Sequence, residues 1–548
     1  VSEPPLSLGA SARVAYFSME IALETGIATY AGGLGILAGD LMRSAADLNL
    51  PMIGVTLVSR SGYFKQVIDT FGKQHELPDV WQVDAYMRPL GAKVVVHLEH
   101  RPVWVAAWLY LVSSYRGSSV PVILLDTDLA ENHAEDRTLT HCLYGGDAAY
   151  RLKQEAILGI GGVRMLRALA IQVNCYHMNE GHSALLGLEL RRSGEHVRRI
   201  FTTHTPVEAG HDKFPYPLVN QILGDYCAEG ELQELAGTDA LNMTRLALSL
   251  SDFINGVAPR HAHVSERMFP EYKIRAVLNG VHPMTWTCES MRQLYDRHWP
   301  GWHHNPELLM RVEHVSSEEI WQAHLSAKQA LIQSVQSRGG PLLSMDMPII
   351  GFARRMTAYK RANLLFLDLQ RLKAIARARP FQMVLAGKAH PRDEEGKRII
   401  EQLHEHALAL ADTLNVVFIP DYDMEVALAV VSGSDLWLNT PMPPQEASGT
   451  SGMKAAFNGV PNLSILDGWW VEGCIEGVTG WAIGADVPTT DEADAASLYD
   501  KLENIVLPLW YGDHDGWMNV MKGAIGRNAN YFNSQRMMRQ YAAEAYLL

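Results

Sequence analysis

Residues 435–459 read DLWLNTPMPPQEASGTSGMKAAFNG. A short apolar run around Trp437 leads into a polar stretch of small residues. Two glycines follow, then Lys454, then the helix-compatible MKAAFNG. Strand, glycine turn and helix in that order define an α/β unit. Backbone N–H groups at such a turn converge on an anion, and the lysine projects from the first turn of the helix. The GxxxxGK[ST] spacing is absent, so this is not a Walker A loop. On spacing alone, a polar helix start with an exposed lysine accounts for the stretch equally well.

The same rhythm extends outward on both sides. Upstream, apolar runs predict strands at 349–353, 382–386 and 416–419, and after the first of these comes ARRMTAYKR. Strands are also predicted at 436–439 and 463–466, and amphipathic stretches at 362–378, 393–413 and 424–431 separate the set. This half reads as doubly wound. In the first half, strands are predicted at 14–20, 52–58, 94–100, 122–126, 175–179, 200–204 and 274–278. Helices at 35–49 and 147–170 complete a mostly parallel βαβ pattern. Residues 300–346 are polar and helical in texture and end in SRGGP, a linker signal, and the segment 517–548 is helical. The expected division is a first domain over 1–340, a second over 341–525 and a terminal helix over 526–548.

Composition narrows the partners. The 548 residues are 47% apolar and 20% charged, enough for large cores, and carry a net charge of −14. A chain-wide acidic excess argues against nucleic acid or an anionic membrane as the main partner. The longest apolar run, 103–112, is too short to span a bilayer and reads as a buried strand or strand pair. Cys142, Cys175, Cys227, Cys288 and Cys474 form no CxxC pair. Scattered thiols and a start without a charged head or apolar run predict a cytoplasmic enzyme without an export leader.

Three further motifs carry candidate chemistry. Arg354, Arg355, Lys360 and Arg361 place four cations in eight residues after an apolar strand. Cations at a helix start oppose its dipole unless an anion is present, which favours phosphate binding over a solvated helix start. Tyr30-Ala31-Gly32-Gly33-Leu34-Gly35 is a glycine cluster before a helical stretch, by itself most simply a tight turn. His204 closes the strand IFTTH, where an imidazole can hydrogen-bond a sugar or serve the fold alone. His177, Glu180 and His182 make an HxxExH pattern without a third ligand of persuasive spacing, so no metal is expected.

Taken in order, YFSMEIAL, GGLG, LYGGDAAYRLKQE, HMNEGH, THTP, INGVAPRH, RRMTAYKR, EASGTSGMK and NLSILDGWWVEG resemble the glycogen/starch phosphorylase family, in its short bacterial and archaeal branch. The resemblance runs over nearly the whole chain. It implies two facing Rossmann-like domains of the GT-B type, with a C-terminal helix crossing back to the first. It implies reversible transfer of a terminal glucosyl unit of an α-1,4-glucan or maltodextrin to inorganic phosphate, giving α-glucose-1-phosphate with retention. The implied cofactor is pyridoxal 5′-phosphate, and the implied assembly a homodimer.

By the same resemblance, Lys454 matches the lysine that carries the cofactor. Thr450, Arg354, Tyr422 and Gly33 match cofactor contacts. Arg355 and Lys360 match cations for the substrate and cofactor phosphates. Gly32, Gly33 and Leu34 match the glycine loop at the phosphate site. Glu446, Ser448 and Gly449 match residues around the sugar hydroxyls. His204 matches the histidine on the glucosyl unit, and Asn255 the asparagine on its 6-hydroxyl. The chain departs from the long regulated enzymes at Asp423, Thr357, Ala358 and the pair Trp469-Trp470. Two other functions compete: a nucleotide-sugar glucosyltransferase of the same fold, and a non-catalytic glucan-binding homologue.

Overall fold

A computed structural model describes residues 11–485 and 489–547. The opening stretch 1–10, on which the leader was judged, lies outside them. The chain is α/β with large parallel sheets. It divides into two compact units, one of Val1–Phe64, Pro78–Val277 and Met538–Leu548, the other of Lys65–Leu77 and Leu278–Met537.

The first unit is built on nine strands: β1 (Ser11–Ser18), β2 (Met52–Leu57), β3 (Arg88–Leu98), β4 (Arg101–Ser113), β5 (Ser119–Asp126), β6 (Gln172–Asn179), β7 (Arg198–Thr202), β8 (Phe253–Gly256) and β9 (Arg275–Ala276). Their order is β9-β8-β7-β6-β1-β2-β5-β4-β3. The first seven in that list run parallel, and β5, β4 and β3 form an antiparallel end. The apolar run at 103–112 is β4, whose alternate residues Val103, Val105, Ala107 and Leu109 enter the core. Phe17, Val55, Leu125 and Phe201 pack with them in the same core.

Register brings one polar residue from each of four parallel strands into a single row. Ser18 faces Asn179, Asn179 faces Thr202, and Thr202 faces Asn255. The row lies at the carboxyl ends of the strands. The sheet also reverses its order there, between β1 and β6, the position where open α/β sheets bind ligands.

The second unit holds six parallel strands: β10 (Ile349–Ala353), β11 (Gln382–Ala386), β12 (Asn415–Ile419), β13 (Leu436–Asn439), β14 (Asn462–Ile465) and β15 (Gly480–Ile483). Their order, β12-β11-β10-β13-β14-β15, is that of a doubly wound sheet with its reversal between β10 and β13. Most of these strands are buried on both faces, as their continuous apolar runs require.

The stretch from residue 278 to 340, read from sequence with the first domain, packs in this unit instead. Helix Ser317–Ser337 starts at Ser316, whose hydroxyl caps the Glu319 amide at 3.2 Å. Leu331 and Val335 of that helix then join the core of Ile349, Val384 and Trp437. Its Lys328 is fully buried against Asp435, 2.9 Å away at the start of β13. The C-terminal helical segment is broken around Asn533, which pairs with Val281. Residues after Met537 belong to the first unit.

Candidate active site

In the second unit the cations converge at the reversal point. Arg354 follows β10 directly, and its amide bonds the Ala386 carbonyl at the end of β11. Lys360 sits in a short helical turn, Ala358–Lys360. Arg361 clamps that turn: its guanidinium donates to the Thr440 and Pro441 carbonyls at 3.0 and 2.7 Å and pairs with Asp491 and Asp494. Met442 N–H donates to the Tyr359 carbonyl at 2.7 Å, which ties the turn to the segment after β13.

Glu446 is the common partner of Arg354 and Lys360. Its Oε2 accepts from Lys360 Nζ at 2.5 Å and also from Arg354. Burial alone pushes a carboxyl up, but the two cations outweigh it and hold Glu446 down at about 2. Asp467 fixes the Glu446 backbone by accepting its amide at 2.9 Å. A single carboxylate oxygen of Glu446 is thus shared by two cations. The Nε and Nη1 of Arg354 are buried without an acceptor, and so is the hydroxyl of Ser448. A bound anion would supply these donors with an acceptor.

Lys454 lies in helix Ser451–Phe457, just beyond Gly449, whose φ of +79° favours a residue without a side chain. Lys454 is 6% exposed, and its Nζ stands 3.6 Å from the centroid of the Trp286 indole. The helix is locked by Asn458, which donates to the carbonyls of Lys454 and Trp286 at 2.9 and 2.7 Å. Thr450 occupies the position before the helix and is half-buried. Gly452 is packed so tightly that a Cβ would meet Asn462 Oδ1 at 2.3 Å and Trp469 at 2.7 Å. Trp469 and Trp470 are thus core residues beneath the turn, with Trp469 edge-on to Phe532.

Two of the matched positions differ in setting from the rest of this cluster. Arg355 is exposed while Arg354 is buried, as alternation at a strand end dictates. Tyr422 is half-buried near Arg354; burial raises its hydroxyl pKa, with the Arg354 charge opposing. Asp423 caps helix Met424–Gly433 by accepting the Val426 amide at 2.8 Å. That capping role accounts for a carboxylate at this position.

In the first unit the glycine cluster opens helix Gly33–Asp47, with Gly32 at its cap. A Cβ on Gly33 would meet nothing within 4 Å. The first intrahelical bond runs from Ile36 to Gly32, so Gly33 and Leu34 belong to the turn whose amides find no partner inside the helix. His204, just past β7, places Nε2 2.7 Å from Asn179 Oδ1, which makes that nitrogen the donor and Nδ1 an acceptor. Desolvation lowers the His204 pKa to about 3, so the ring is neutral. Its amide donates to Glu180 Oε2 at 2.8 Å. Glu180 has φ +70° and ψ 168°, a conformation costly for a residue with a side chain. Its carboxylate also accepts from Thr205 at 2.9 Å and Gly181 at 3.1 Å.

Asn255 is fully buried with both ends of its amide occupied. Thr202 donates to its Oδ1 at 2.8 Å, and its Nδ2 donates to the Tyr541 hydroxyl at 3.0 Å. His177 continues this network to Thr202 and Tyr546, each at 2.8 Å. The structure therefore ties Asn255 into the docking of the C-terminal segment. Asn279, not singled out from sequence, is 3% exposed and has a carbonyl oxygen without a partner. Glu20, Glu180, Trp286 and Asp467 were likewise not read as site residues; a carboxylate directly after an apolar strand was the available signal for the first two.

The Phosphorylase family profile, described as carbohydrate phosphorylase, matches residues 17–94 and 214–480, more than half of the chain. The chain belongs to the carbohydrate phosphorylase family. The matched stretches include the glycine turn, the Arg354–Arg361 cations and Lys454, whereas His204 lies outside them. Over 97% of its length the chain is 38% identical to a maltodextrin phosphorylase of Thermococcus litoralis, spanning 70% of that protein. It is 35% identical to a glycogen phosphorylase of Aquifex aeolicus, over 97% of this chain and 86% of that one. A glycogen phosphorylase of Mycobacterium tuberculosis is 34% identical, over 97% and 70% respectively. Among the described residues no helix is long and apolar enough to cross a membrane.

Proposed function

We infer that the protein is an α-glucan phosphorylase, which transfers a terminal glucosyl unit of an α-1,4-glucan to inorganic phosphate and releases α-glucose-1-phosphate. The observation that carries this reading is the pair of buried Arg354 nitrogens without an acceptor, beside a carboxylate already shared with Lys360. Guanidinium N–H groups so placed favour an anion as the ligand. A glycosyltransferase using a nucleotide sugar also needs cations, but a buried lysine on an indole after a glycine turn has no role in it.

The residues present fit pyridoxal 5′-phosphate. Lys454 would hold it, with Trp286 as an apolar wall and Thr450, Tyr422 and Arg354 as polar and phosphate contacts, while Ser448 and Gly449 stay with the sugar hydroxyls. When bound, the group supplies a phosphate that can give and take a proton beside the substrate phosphate. Arg354 and Lys360 offset the repulsion of two crowded phosphates. Arg355, at the exposed strand end, contributes to capturing the incoming phosphate. Glu446 orients Lys360 and Arg354 and accepts from sugar hydroxyls.

In the first unit, Gly32, Gly33 and Leu34 offer amides to phosphate, and neutral His204 presents its ring to the glucosyl unit. In the second unit, Asn279, with a buried side-chain oxygen lacking a partner, is a further candidate for a sugar hydroxyl, whereas the Asn255 amide is held by Thr202 and Tyr541. Exclusion of water directs the glucosyl unit to phosphate. The two sheets are read as the Rossmann-like pair of a GT-B enzyme, with a dimer as the expected assembly.

The test is phosphorolysis of maltodextrins with pyridoxal phosphate present. Phosphate-dependent release of glucose-1-phosphate in the α configuration is expected. Release of free glucose alone, or of nothing, would remove the assignment.

A further inference from the structure

Glu20 lies two residues past the carboxyl end of β1 and is 1% exposed. Its Oε2 accepts the amides of Ala31 at 2.6 Å and Gly32 at 3.1 Å, the two residues that lead into helix Gly33–Asp47. Its Oε1 accepts the Tyr144 hydroxyl at 2.8 Å. A buried carboxylate with three donors is satisfied and stays where they hold it. Gly35 is a glycine for the same reason: a Cβ there would lie 2.6 Å from Glu20 Oε2.

The anchoring extends in both directions. Tyr144 lies under the Arg151 guanidinium at 4.3 Å, and Arg151 is itself fixed by Glu155 at 3.0 Å and Asp212 at 2.8 Å. On the other side, the Glu20 carbonyl accepts from Ser18 Oγ at 2.7 Å. Ser18 accepts from Asn179 Nδ2 at 3.1 Å, and Asn179 Oδ1 holds His204 at 2.7 Å. The glycine turn and His204 therefore hang from one residue, the first by its side chain and the second through its backbone.

We propose that Glu20 is a positioning residue that sets the phosphate affinity of the glycine turn by aiming the Gly33 and Leu34 amides. The proposal rests on the phosphorylase reading. By taking the Ala31 and Gly32 amides, the carboxylate fixes the direction of the next two without touching substrate itself.

The test is steady-state phosphorolysis of maltodextrin with phosphate and glucan varied separately, in the wild-type holoenzyme, Glu20→Ala and Glu20→Gln. Glu20→Ala should raise KM for phosphate about tenfold or more while KM for glucan stays within about twofold. Glu20→Gln keeps an oxygen for the two amides and should remain within about threefold of wild type in KM for phosphate. Equal rises in both KM values, or no change in either, would overturn the proposal. If Glu20→Ala does not fold, Tyr144→Phe decides: an approximately threefold rise in KM for phosphate at unchanged melting temperature supports it, and an unchanged KM sinks it. Absence of phosphorolysis in the wild type would instead strike at the functional reading.

Discussion

The two units place polar groups at the same position in their sheets, the carboxyl ends of strands at a reversal of order, but they do so with opposite chemistry. In the first, the buried groups are neutral imidazoles and amides, with Glu20 and Glu180 turned inward to hold backbone N–H groups. In the second, two cations share one carboxylate, and Lys454 is buried over the Trp286 indole. A neutral, hydrogen-bonded surface suits an uncharged sugar ring, whereas surplus positive charge suits phosphate. Under the phosphorylase reading, one fold principle would serve hydrogen bonding by neutral groups and backbone amides in one unit and charge management in the other.

The largest effect that would break this contrast is on Lys454. Lys454→Ala should abolish pyridoxal absorbance and lower phosphorolysis by roughly 10³-fold or more. Normal turnover would mean that the second unit does not hold the cofactor.

Next is Glu446. Glu446→Gln leaves Arg354 and Lys360 buried without a counter-charge and should destabilise the chain by about 3 kcal/mol or more, read by denaturant melts. Millimolar phosphate should restore part of that loss, because an anion that binds only the folded state stabilises it. In the wild type, the Glu446 contribution is complete above its ordinary pKa of 4.5 and is lost as pH falls towards about 2.

The first unit should respond to acid earlier. Burial holds His177 neutral down to about pH 3, while the unfolded chain protonates it near 6.5. The unfolded state therefore takes up the extra proton, and stability falls as pH drops from 6.5 towards 3. His177→Gln should flatten that slope by about 1.4 kcal/mol per pH unit below pH ~5.5. An unchanged slope would show that His177 is protonated in the folded chain.

The smallest effect concerns Asp423. If its carboxylate serves the helix, Asp423→Ala should lower stability by about 1 kcal/mol and leave KM for phosphate unchanged. A shift in KM without a change in melting would place it in the phosphate cage.

The two units were also unequally legible. Strands β10, β11 and β13 were read to the residue, because strands buried on both faces are continuous apolar runs ended by charged turns. Strands β8 (FING) and β15 (GWAI) and the hairpin formed by Lys65–Ile68 and Gln74–Leu77 escaped, because glycine or polar residues interrupt their short apolar runs. Within ARRMTAYKR the sequence showed four cations but not their division of labour. Arg361 is spent on carbonyls and aspartates, and Arg354 rather than Arg355 shares Glu446 with Lys360. Asn255 shows the limit most clearly, since its partner Tyr541 is 286 residues away in sequence and no local pattern announces it. Glu20 was hidden for a related reason: a carboxylate after an apolar strand resembles any strand end until its amide partners are seen.

Borohydride reduction of the pyridoxal-loaded protein, followed by peptide mapping, decides whether the buried amine of Lys454 holds the cofactor for phosphate-dependent glucan cleavage. One stable pyridoxyl label is expected, on Lys454, with loss of glucose-1-phosphate release in proportion to labelling. A label on a different lysine, or full labelling with activity intact, would contradict it.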